Sequence, residues 1–359
     1  MTEMLTRITE SPAPFEIDEV AQPLTCTQIE DITHDVKSFT FALPQPLRFD
    51  AGQYVTISVD VDGWPIERCY TISSPPTRAH TLTITVKRVP SGPVSNWLHD
   101  HLTVGDQVAV RGPLGVFCAS SHPASRYLFL SAGSGVTPLM SMTRQMYDRT
   151  EPTDVVFVHS ARSPRDIVFR RELDEMTAEP FLSVVSVCEE DAPDEIWPGA
   201  RGRLSLPLLL QVAPDLHERE IFTCGPPPYM QAVRDMLSAA GVSPARCHEE
   251  SFTIATPSPA PASAPPQTDG VGIGHSIELR RSGRTVTCDD NTTILEAVSR
   301  AGVVMPTSCG EGVCGTCKST MLAGSVDMQH AGGIRPREIA DGKILPCCST
   351  PLEDVVLDA

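Results

Sequence analysis

Cys309, Cys314 and Cys317 stand within nine residues in the pattern C-x4-C-x2-C, and Cys347 follows after 29 intervening residues. Four thiolates so spaced match the ligand set of a 2Fe–2S cluster, three from one loop and one from a distant segment. Such a centre handles one electron at a time, so the rest of the chain is expected to supply single electrons. Gly310, Gly312 and Gly315 fall among the ligands. Glycine there permits positive φ and brings backbone N–H groups close to the negative sulfurs. Thr293-Ile294-Leu295-Glu296 reads as a capping box opening a helix ahead of the loop, and Gly302 as its C′ stop.

Two other uses of the cysteines carry less weight. Structural zinc pairs two C-x2–4-C knuckles, and here only Cys314 and Cys317 form one. Disulfides need an oxidising compartment, and nothing marks the chain as secreted. Residues from about 275 to 359 resemble the plant-type ferredoxin domain. The ending Ile344-Leu345-Pro346-Cys347-Cys348-Ser349-Thr350-Pro351 is similar to that family's fourth-ligand segment. The family's ligand stands two residues after the leucine and four before the proline, which selects Cys347 and leaves Cys348 as a buried bystander.

A chain of 359 residues, 41% hydrophobic and 20% charged, is a globular protein of two or three domains. No apolar run approaches the roughly 20 residues that span a bilayer, and Met1 to Val20 is mixed and acidic, without a signal core. A cytoplasmic protein is expected, its 12 cysteines serving as metal ligands and reduced core thiols. A net charge of −17 argues against nucleic acid or anionic membrane as a partner. It suits docking onto a basic protein surface, and equally simple solubility.

Ala255 to Gly270 reads ATPSPAPASAPPQTDG, without hydrophobic periodicity. A tether of that composition spans roughly 20–25 Å as a coil and up to about 50 Å as polyproline. Before it, short alternating stretches at Lys37–Leu43, Gln53–Val59, Cys69–Ser73, Thr81–Val86 and Gln107–Val110 predict a small antiparallel barrel. From about residue 125 the style changes. Strands at Tyr127–Leu130, Val155–His159, Leu182–Val187 and Ile221–Cys224 alternate with helices ending near Tyr147, running from Asp166 to Met176, and ending near Ala240. That alternation predicts a doubly wound parallel sheet.

Arg68-Cys69-Tyr70-Thr71 closes an expected barrel strand. An arginine pairs a phosphate bidentately, a tyrosine offers a flat face to an isoalloxazine, and a small hydroxyl can donate near flavin N5. The tetrapeptide resembles the R-x-Y-[ST] motif of the ferredoxin–NADP reductase superfamily. Lys87-Arg88-Val89 and then Gly92-Pro93-Val94-Ser95 are similar to that superfamily's G-x-x-S stretch, where a helix N-terminus holds the pyrophosphate. The alternative is an ordinary turn with Ser95 as N-cap. The resemblance implies FAD rather than FMN, held by Arg68, Tyr70, Thr71, Lys87, Val89, Gly92, Val94 and Ser95. Gly112-Pro113-Leu114-Gly115 resembles the barrel's closing segment.

Ser131-Ala132-Gly133-Ser134-Gly135-Val136-Thr137-Pro138 follows the first strand of the parallel sheet and resembles the G-x-G-x-x-P nucleotide loop of the same superfamily. Gly133, Ser134, Gly135, Thr137 and Pro138 would then cradle the pyrophosphate of the nicotinamide cofactor, aided by the helix behind them. The loop departs from the G-x-G-x-x-G fingerprint in ending on Pro138. Thr223-Cys224-Gly225-Pro226 resembles the C-G-P motif, whose cysteine lies beside the nicotinamide C4. The alternative for Cys224 is a core thiol. Glu250-Ser251-Phe252 resembles the E-x-F ending, in which the aromatic covers the flavin until nicotinamide displaces it; a chain-end aromatic packed on the core is the alternative. Arg162 or Arg165 could serve a 2′-phosphate, but the stretch from His159 to Phe169 resembles users of NADH, which is the expected donor. His159 and His248 read as structural.

The chain therefore reads as multidomain: a tail (1–20), an FAD-binding antiparallel β-barrel (21–120), an NAD(P)-binding α/β domain (121–254), a linker (255–272) and an α+β, β-grasp ferredoxin domain (273–359). The resemblance implies a reductase that passes electrons from NADH through FAD and the 2Fe–2S cluster, held by Cys309, Cys314, Cys317 and Cys347, to a Rieske-type oxygenase. Thr71 and Cys224 would attend the hydride step. Greatest similarity is to reductases serving oxygenases that demethylate quaternary amines. A reductase for hybrid-cluster protein is the alternative acceptor assignment. A redox-sensing ferredoxin-like module with an inactive flavin domain is the third reading, against which the intact Arg68, Tyr70, Gly133, Gly135 and Cys224 stand.

Overall fold

The computed structural model describes residues 21–61, 63–90, 92–150, 153–252, 274–303, 305, 310, 312, 315, 317–330 and 332–359. The expected tail and linker lie outside them, as do Cys309 and Cys314.

Six antiparallel strands form the first sheet: β1 (Gln22–Thr33), β2 (Val36–Ala42), β3 (Tyr54–Val61), β4 (Trp64–Thr71), β5 (Thr81–Lys87) and β6 (Gln107–Leu114), in the order β4-β3-β6-β1-β2-β5. A bridge between Ile72 and Ile84, directly beyond Thr71, joins the two edge strands. Alternate residues point inward, as the pleat requires: Phe39 and Phe41, Val55 and Ile57, Leu82, Ile84 and Val86 share one core. β1 escaped the pattern because only Leu24 and Cys26 of it are buried and the ladder shifts register between Cys26 and Gln28. Gly112 to Leu114 end β6, the last strand of this sheet in chain order, which lies between β3 and β1. α1 (Pro93–Asp100) follows β5.

The second sheet is parallel: β7 (Arg126–Ala132), β8 (Asp154–Ala161), β9 (Leu182–Cys188), β10 (Ala200–Arg201), β11 (Glu220–Gly225) and β12 (Cys247–Ser251), ordered β10-β9-β8-β7-β11-β12. Its helices are α2 (Val136–Arg149), α3 (Arg170–Met176), α4 (Leu206–Val212) and α5 (Pro227–Ala239). Both faces are buried, so the strands read as apolar runs: Phe129, Phe157 and Phe222 face one core, Leu128, Val156 and Ile221 the other. The strand order reverses between β7 and β11, the position where doubly wound sheets open a ligand crevice. The single helix expected over 166–176 is split. Ser163 and Asp166 cap each other around a 3-10 turn, and Phe169 takes φ +60°, so α3 starts only at Arg170.

The last domain comprises β13 (His275–Leu279), β14 (Arg284–Cys288), α6 (Ile294–Arg300), β15 (Ser319–Ala323), β16 (Val326–Met328), α7 (Pro336–Ala340), β17 (Lys343–Ile344), β18 (Ser349–Pro351) and β19 (Val355–Leu357). A mixed sheet β14-β13-β19-β15-β17 packs Ile277, Leu279 and Val286 against Ile294, Ala297 and Val298 of α6. Thr293 caps α6 by accepting from the Glu296 N–H at 3.3 Å, and Gly302 follows at φ +73°. The capping box is half made, because the Glu296 carboxylate goes instead to Arg300.

Candidate cofactor sites and the path between them

Arg68, Tyr70 and Thr71 lie along the last half of β4. Arg68 is half-buried, and its Nη1 donates to the Glu67 carbonyl at 2.7 Å. Burial pushes the Tyr70 phenol upward from its ordinary value. Thr71 is 4% exposed and its hydroxyl has no hydrogen-bond partner in the protein. Buried hydroxyls are almost always paired, so this orphan fits a bound group that brings its own polar atoms, as a flavin ring does.

Lys87 ends β5 in an ion pair with Asp35 at 3.2 Å. Beyond it, the Val89 N–H donates to Ser95 Oγ at 3.2 Å and Ser95 Oγ donates to the Gly92 carbonyl at 3.1 Å. Gly92, not Ser95, is the N-cap of α1. The serine folds the preceding turn back onto the helix, and a Cβ on Gly92 would lie 2.6 Å from its oxygen. With Pro93 first and no acidic residue in the opening turn, the amides of Val94 and Ser95 suit a pyrophosphate.

The loop after β7 makes a 3-10 turn, Gly133–Gly135, with Gly133 at φ +54°, and runs directly into α2. A Cβ on Gly135 would lie 2.3 Å from the Cys224 carbonyl oxygen, and one on Gly225 would lie 2.7 Å from the Tyr229 ring. The two expected nucleotide motifs thus meet backbone to backbone at the reversal of strand order. Thr137 Oγ1 donates to the Ser134 carbonyl at 3.1 Å. Pro138 sits in the first turn of α2, where a missing N–H costs no helical bond. No acidic residue stands in that turn, so its N-terminus fits a second pyrophosphate. The turn also lies against β5 of the barrel.

Cys224 is fully buried, and burial, reinforced by Glu250, drives its thiol well above the ordinary range. It stands there as a neutral SH. Glu250 faces it across the β11–β12 ladder, 7% exposed, with one carboxylate oxygen lacking any hydrogen bond and a pKa pushed by burial up to about 8. Sequence reasoning gave the weight of the E-x-F triplet to its aromatic; the structure turns attention to its acid. Phe252 is 39% exposed, which speaks against a side chain packed into the core. Arg162 and Arg165 are both exposed. His159 is buried with Nδ1 2.8 Å from Ser131 Oγ and its pKa lowered by burial to about 4, so it is neutral; His248 pairs with Glu220 at 2.8 Å.

In the ferredoxin domain, Cys317 and Cys347 share an apolar pocket with Ile334 and Leu345, each nearly buried. The Gly312 N–H donates to Cys347 Sγ at 3.3 Å, the kind of bond that steadies a thiolate. Gly310, Gly312 and Gly315 have φ of +74°, +69° and +71°. Cys348 is half-buried, and a Cβ on Gly312 would meet its sulfur at 2.6 Å, so it backs the loop. Lys318, next to Cys317, pairs with the buried Glu338 of α7, which also accepts from the Arg335 N–H at 2.8 Å. Arg335 Nη2 donates to the Pro113 carbonyl of the barrel at 3.3 Å, and a Cβ on Gly332 would lie 3.0 Å from Val116. The Gly333 N–H in turn donates to the Gly312 carbonyl at 2.9 Å. The cluster loop and the end of β6 are therefore joined through four residues of one short segment, 332–335.

Comparison with known proteins adds three domain matches. Residues 23–118 match the oxidoreductase FAD-binding domain, residues 129–235 the oxidoreductase NAD-binding domain, and residues 277–352 the 2Fe-2S iron-sulfur cluster binding domain. The chain is 44% identical over 344 residues to the glycine betaine monooxygenase reductase subunit of Pseudomonas aeruginosa, covering 93% of this chain and 94% of the relative. It is 40% identical over 343 residues to the stachydrine N-demethylase reductase subunit of Rhizobium meliloti, covering 94% and 97%. Among solved structures, an intact type IV self-sufficient cytochrome P450 monooxygenase superposes with a TM-score of 0.66 at 25% identity, over 94% of this chain and 41% of that one. Among the described residues, no helix is long and apolar enough to cross a membrane.

Proposed function

The chain belongs to the family of FAD- and NAD-binding oxidoreductases with a 2Fe–2S domain that includes the monooxygenase reductase subunits, and on that premise we propose that it takes electrons from NADH and delivers them singly to a terminal oxygenase. The observation that carries this is the extent of the likeness: it runs through donor site, flavin domain and cluster domain over nearly the whole of both chains. The two relatives are reductase subunits of a glycine betaine monooxygenase and of a stachydrine N-demethylase by name, which supports a Rieske-type acceptor working on an N-methylated quaternary amine. The donor is a cytoplasmic metabolite, and the enzyme is assigned to that compartment.

FAD, when bound, accepts a hydride as an electron pair and releases electrons one by one, which matches a two-electron donor to a one-electron cluster. The residues divide the remaining work. Arg68 and the amides of Val94 and Ser95 hold the flavin diphosphate, with Lys87, Val89 and Gly92 shaping the turn that presents it. Tyr70 would offer its flat face to the ring system, and the Thr71 hydroxyl, buried without a partner in the protein, would bond to it. Gly133, Ser134, Gly135, Thr137 and Pro138 hold the NADH diphosphate at the start of α2. Cys224, a neutral thiol, and Gly225 would line the nicotinamide side, with the buried Glu250 carboxyl beside Cys224 on the neighbouring strand, and the partly exposed Phe252 would cover the flavin until nicotinamide displaces it. Cys309, Cys314, Cys317 and Cys347 ligate the cluster.

Anaerobic visible absorption, titrated with NADH and separately with NADPH, tests this. Flavin and 2Fe–2S bands that both bleach with NADH at far lower concentration than with NADPH are expected. A flavin that bleaches while cluster bands are absent refutes the four-thiolate assignment, and no bleaching by either nucleotide refutes the reductase reading.

A further inference from the structure

We infer that Arg144 is a positioning residue that fixes the flavin and nicotinamide sites relative to each other. The inference rests on the assignment of Thr71 to the flavin and of the Gly133–Pro138 loop to the nucleotide.

α2 begins in that loop, and Ser141, Arg144 and Asp148 fall on one of its faces, at i, i+3 and i+7. All three reach the barrel segment that follows β4. Ser141 Oγ donates to the Ser74 carbonyl at 2.8 Å. Arg144 Nη1 donates to the Ser73 carbonyl at 2.6 Å. Asp148 accepts the fork of Arg78 at 3.0 and 2.8 Å, and the Thr77 hydroxyl. Ser73 is two residues beyond Thr71 and is itself immobilised, its N–H and hydroxyl donating to the Thr83 carbonyl at 2.8 and 3.1 Å. The helix carries the nucleotide loop at its start, about 12 Å from Arg144 at 1.5 Å per residue. Arg144 is thus the rivet between the strand end bearing Thr71 and the helix bearing the loop.

The guanidinium has no freedom to slide. Nε and Nη2 grip the Glu172 carboxylate at 2.8 and 2.5 Å, and the Phe169 ring lies 4.5 Å from its carbon. Phe169 is the residue at φ +60° that starts α3, so an uncommon backbone conformation places the ring there. Arg144 is 8% exposed. The neighbouring Arg78–Asp148 pair has an arginine side chain 50% exposed and forms the rim. A rim pair contributes little; a buried cation with both partners built around it specifies geometry. Hydride transfer is where geometry counts, since about 1 Å of misplacement can cost roughly a hundredfold in rate. Arg144 and Glu172 belong to no motif that contacts a cofactor, so their loss should slow the hydride step and leave nucleotide affinity intact.

The test uses the FAD- and cluster-loaded enzyme and Arg144→Met, Arg144→Lys and Glu172→Gln, mixed with NADH anaerobically in a stopped-flow instrument. Three quantities are read: the limiting rate of flavin reduction, the NADH Kd from its concentration dependence, and the long-wavelength charge-transfer absorbance that reports nicotinamide stacked on flavin. Arg144→Met is expected to lower the limiting rate by about ten- to a hundredfold, to weaken the charge-transfer band, and to leave Kd within about twofold. Arg144→Lys restores charge without the fork and should recover only part of the rate. Glu172→Gln keeps the Ser73 contact while loosening the grip, and gives a smaller loss in the same direction; it also carries the test if Arg144→Met does not fold. A folded variant with a lower melting temperature but wild-type limiting rate and charge-transfer band overturns the inference, and so does a loss confined to Kd. Unaffected variants beside a normally reduced wild type overturn this inference alone. A wild type that NADH cannot reduce overturns the functional reading and this inference with it.

Discussion

Gly135 and the carbonyl of Cys224 approach so closely that a Cβ on Gly135 would lie 2.3 Å from the oxygen. The obstacle is backbone, on a strand flanked on both sides in the sheet, and cannot swing away. Gly135→Ala should therefore push the nucleotide loop off the end of β11. The expected result is a rise in NADH Kd of about tenfold or more, by loss of aligned amides, with FAD and cluster retained. Gly133 makes the contrasting case. It needs φ +54° but has open space around it, so Gly133→Asn, which tolerates that conformation, should bind NADH within a few-fold of wild type. Equal effects at both positions would refute the distinction.

Much of this was legible from residue order. Most barrel strands showed because inward and outward residues alternate, though β4 starts at Trp64, five residues before the expected Cys69, and the turn at Gly133–Gly135 showed because a buried apolar run is followed by glycines. β1 was not legible, since a strand with few buried side chains and a register shift has no period to detect. Glu250 was hidden in plain view: the triplet was visible, but only its pairing beside Cys224 shows that the acid is buried. Arg144 was not legible at all. A polar residue inside a helix reads as a solvent face until the barrel is laid against it. The seam at Pro113 and Val116 joins residues more than two hundred apart in sequence, which no local pattern encodes.

Cys347 and Cys348 should separate cleanly. Cys347 shares a buried apolar pocket with Cys317 and accepts the Gly312 N–H, whereas Cys348 backs the loop. Cys347→Ser should lose the 2Fe–2S absorbance and the iron, and with them reduction of a one-electron protein acceptor, while NADH–ferricyanide activity persists. Cys348→Ser should keep cluster and iron. The reverse pattern would move the fourth ligand to Cys348.

Glu250 gives a pH signature in the apoprotein. Burial raises its folded pKa to about 8, against an ordinary carboxylate near 4.5 in the unfolded chain. Between those values the folded chain holds a proton that the unfolded chain has released. Stability linked to this group is therefore complete below about pH 4.5 and declines as pH rises through 8. Urea midpoints measured at pH 5.5, 7 and 8.5 should fall more steeply for wild type than for Glu250→Gln, which cannot ionise. Parallel slopes would mean that the carboxyl is ionised in the folded protein.

The seam between barrel and ferredoxin domain predicts where the second electron step can be slowed alone. Val116 is 60% exposed yet touches Gly332, and Arg335 donates to the Pro113 carbonyl. Val116→Asp changes only the barrel side, and Arg335→Ala only the ferredoxin side. Each should leave the rate of flavin bleaching by NADH and the NADH–ferricyanide activity within about twofold, because neither residue approaches the nucleotide loop. Each should slow cluster bleaching by about tenfold, since orientation across a contact governs transfer. Both residues serve one seam, so the double variant should be less than additive. That non-additivity is the decisive reading: Arg335 also adjoins the Glu338–Lys318 pair next to Cys317, and a variant acting only through the cluster would combine additively with Val116→Asp. Cluster reduction at the wild-type rate in both single variants would show that electrons enter the ferredoxin domain by another face.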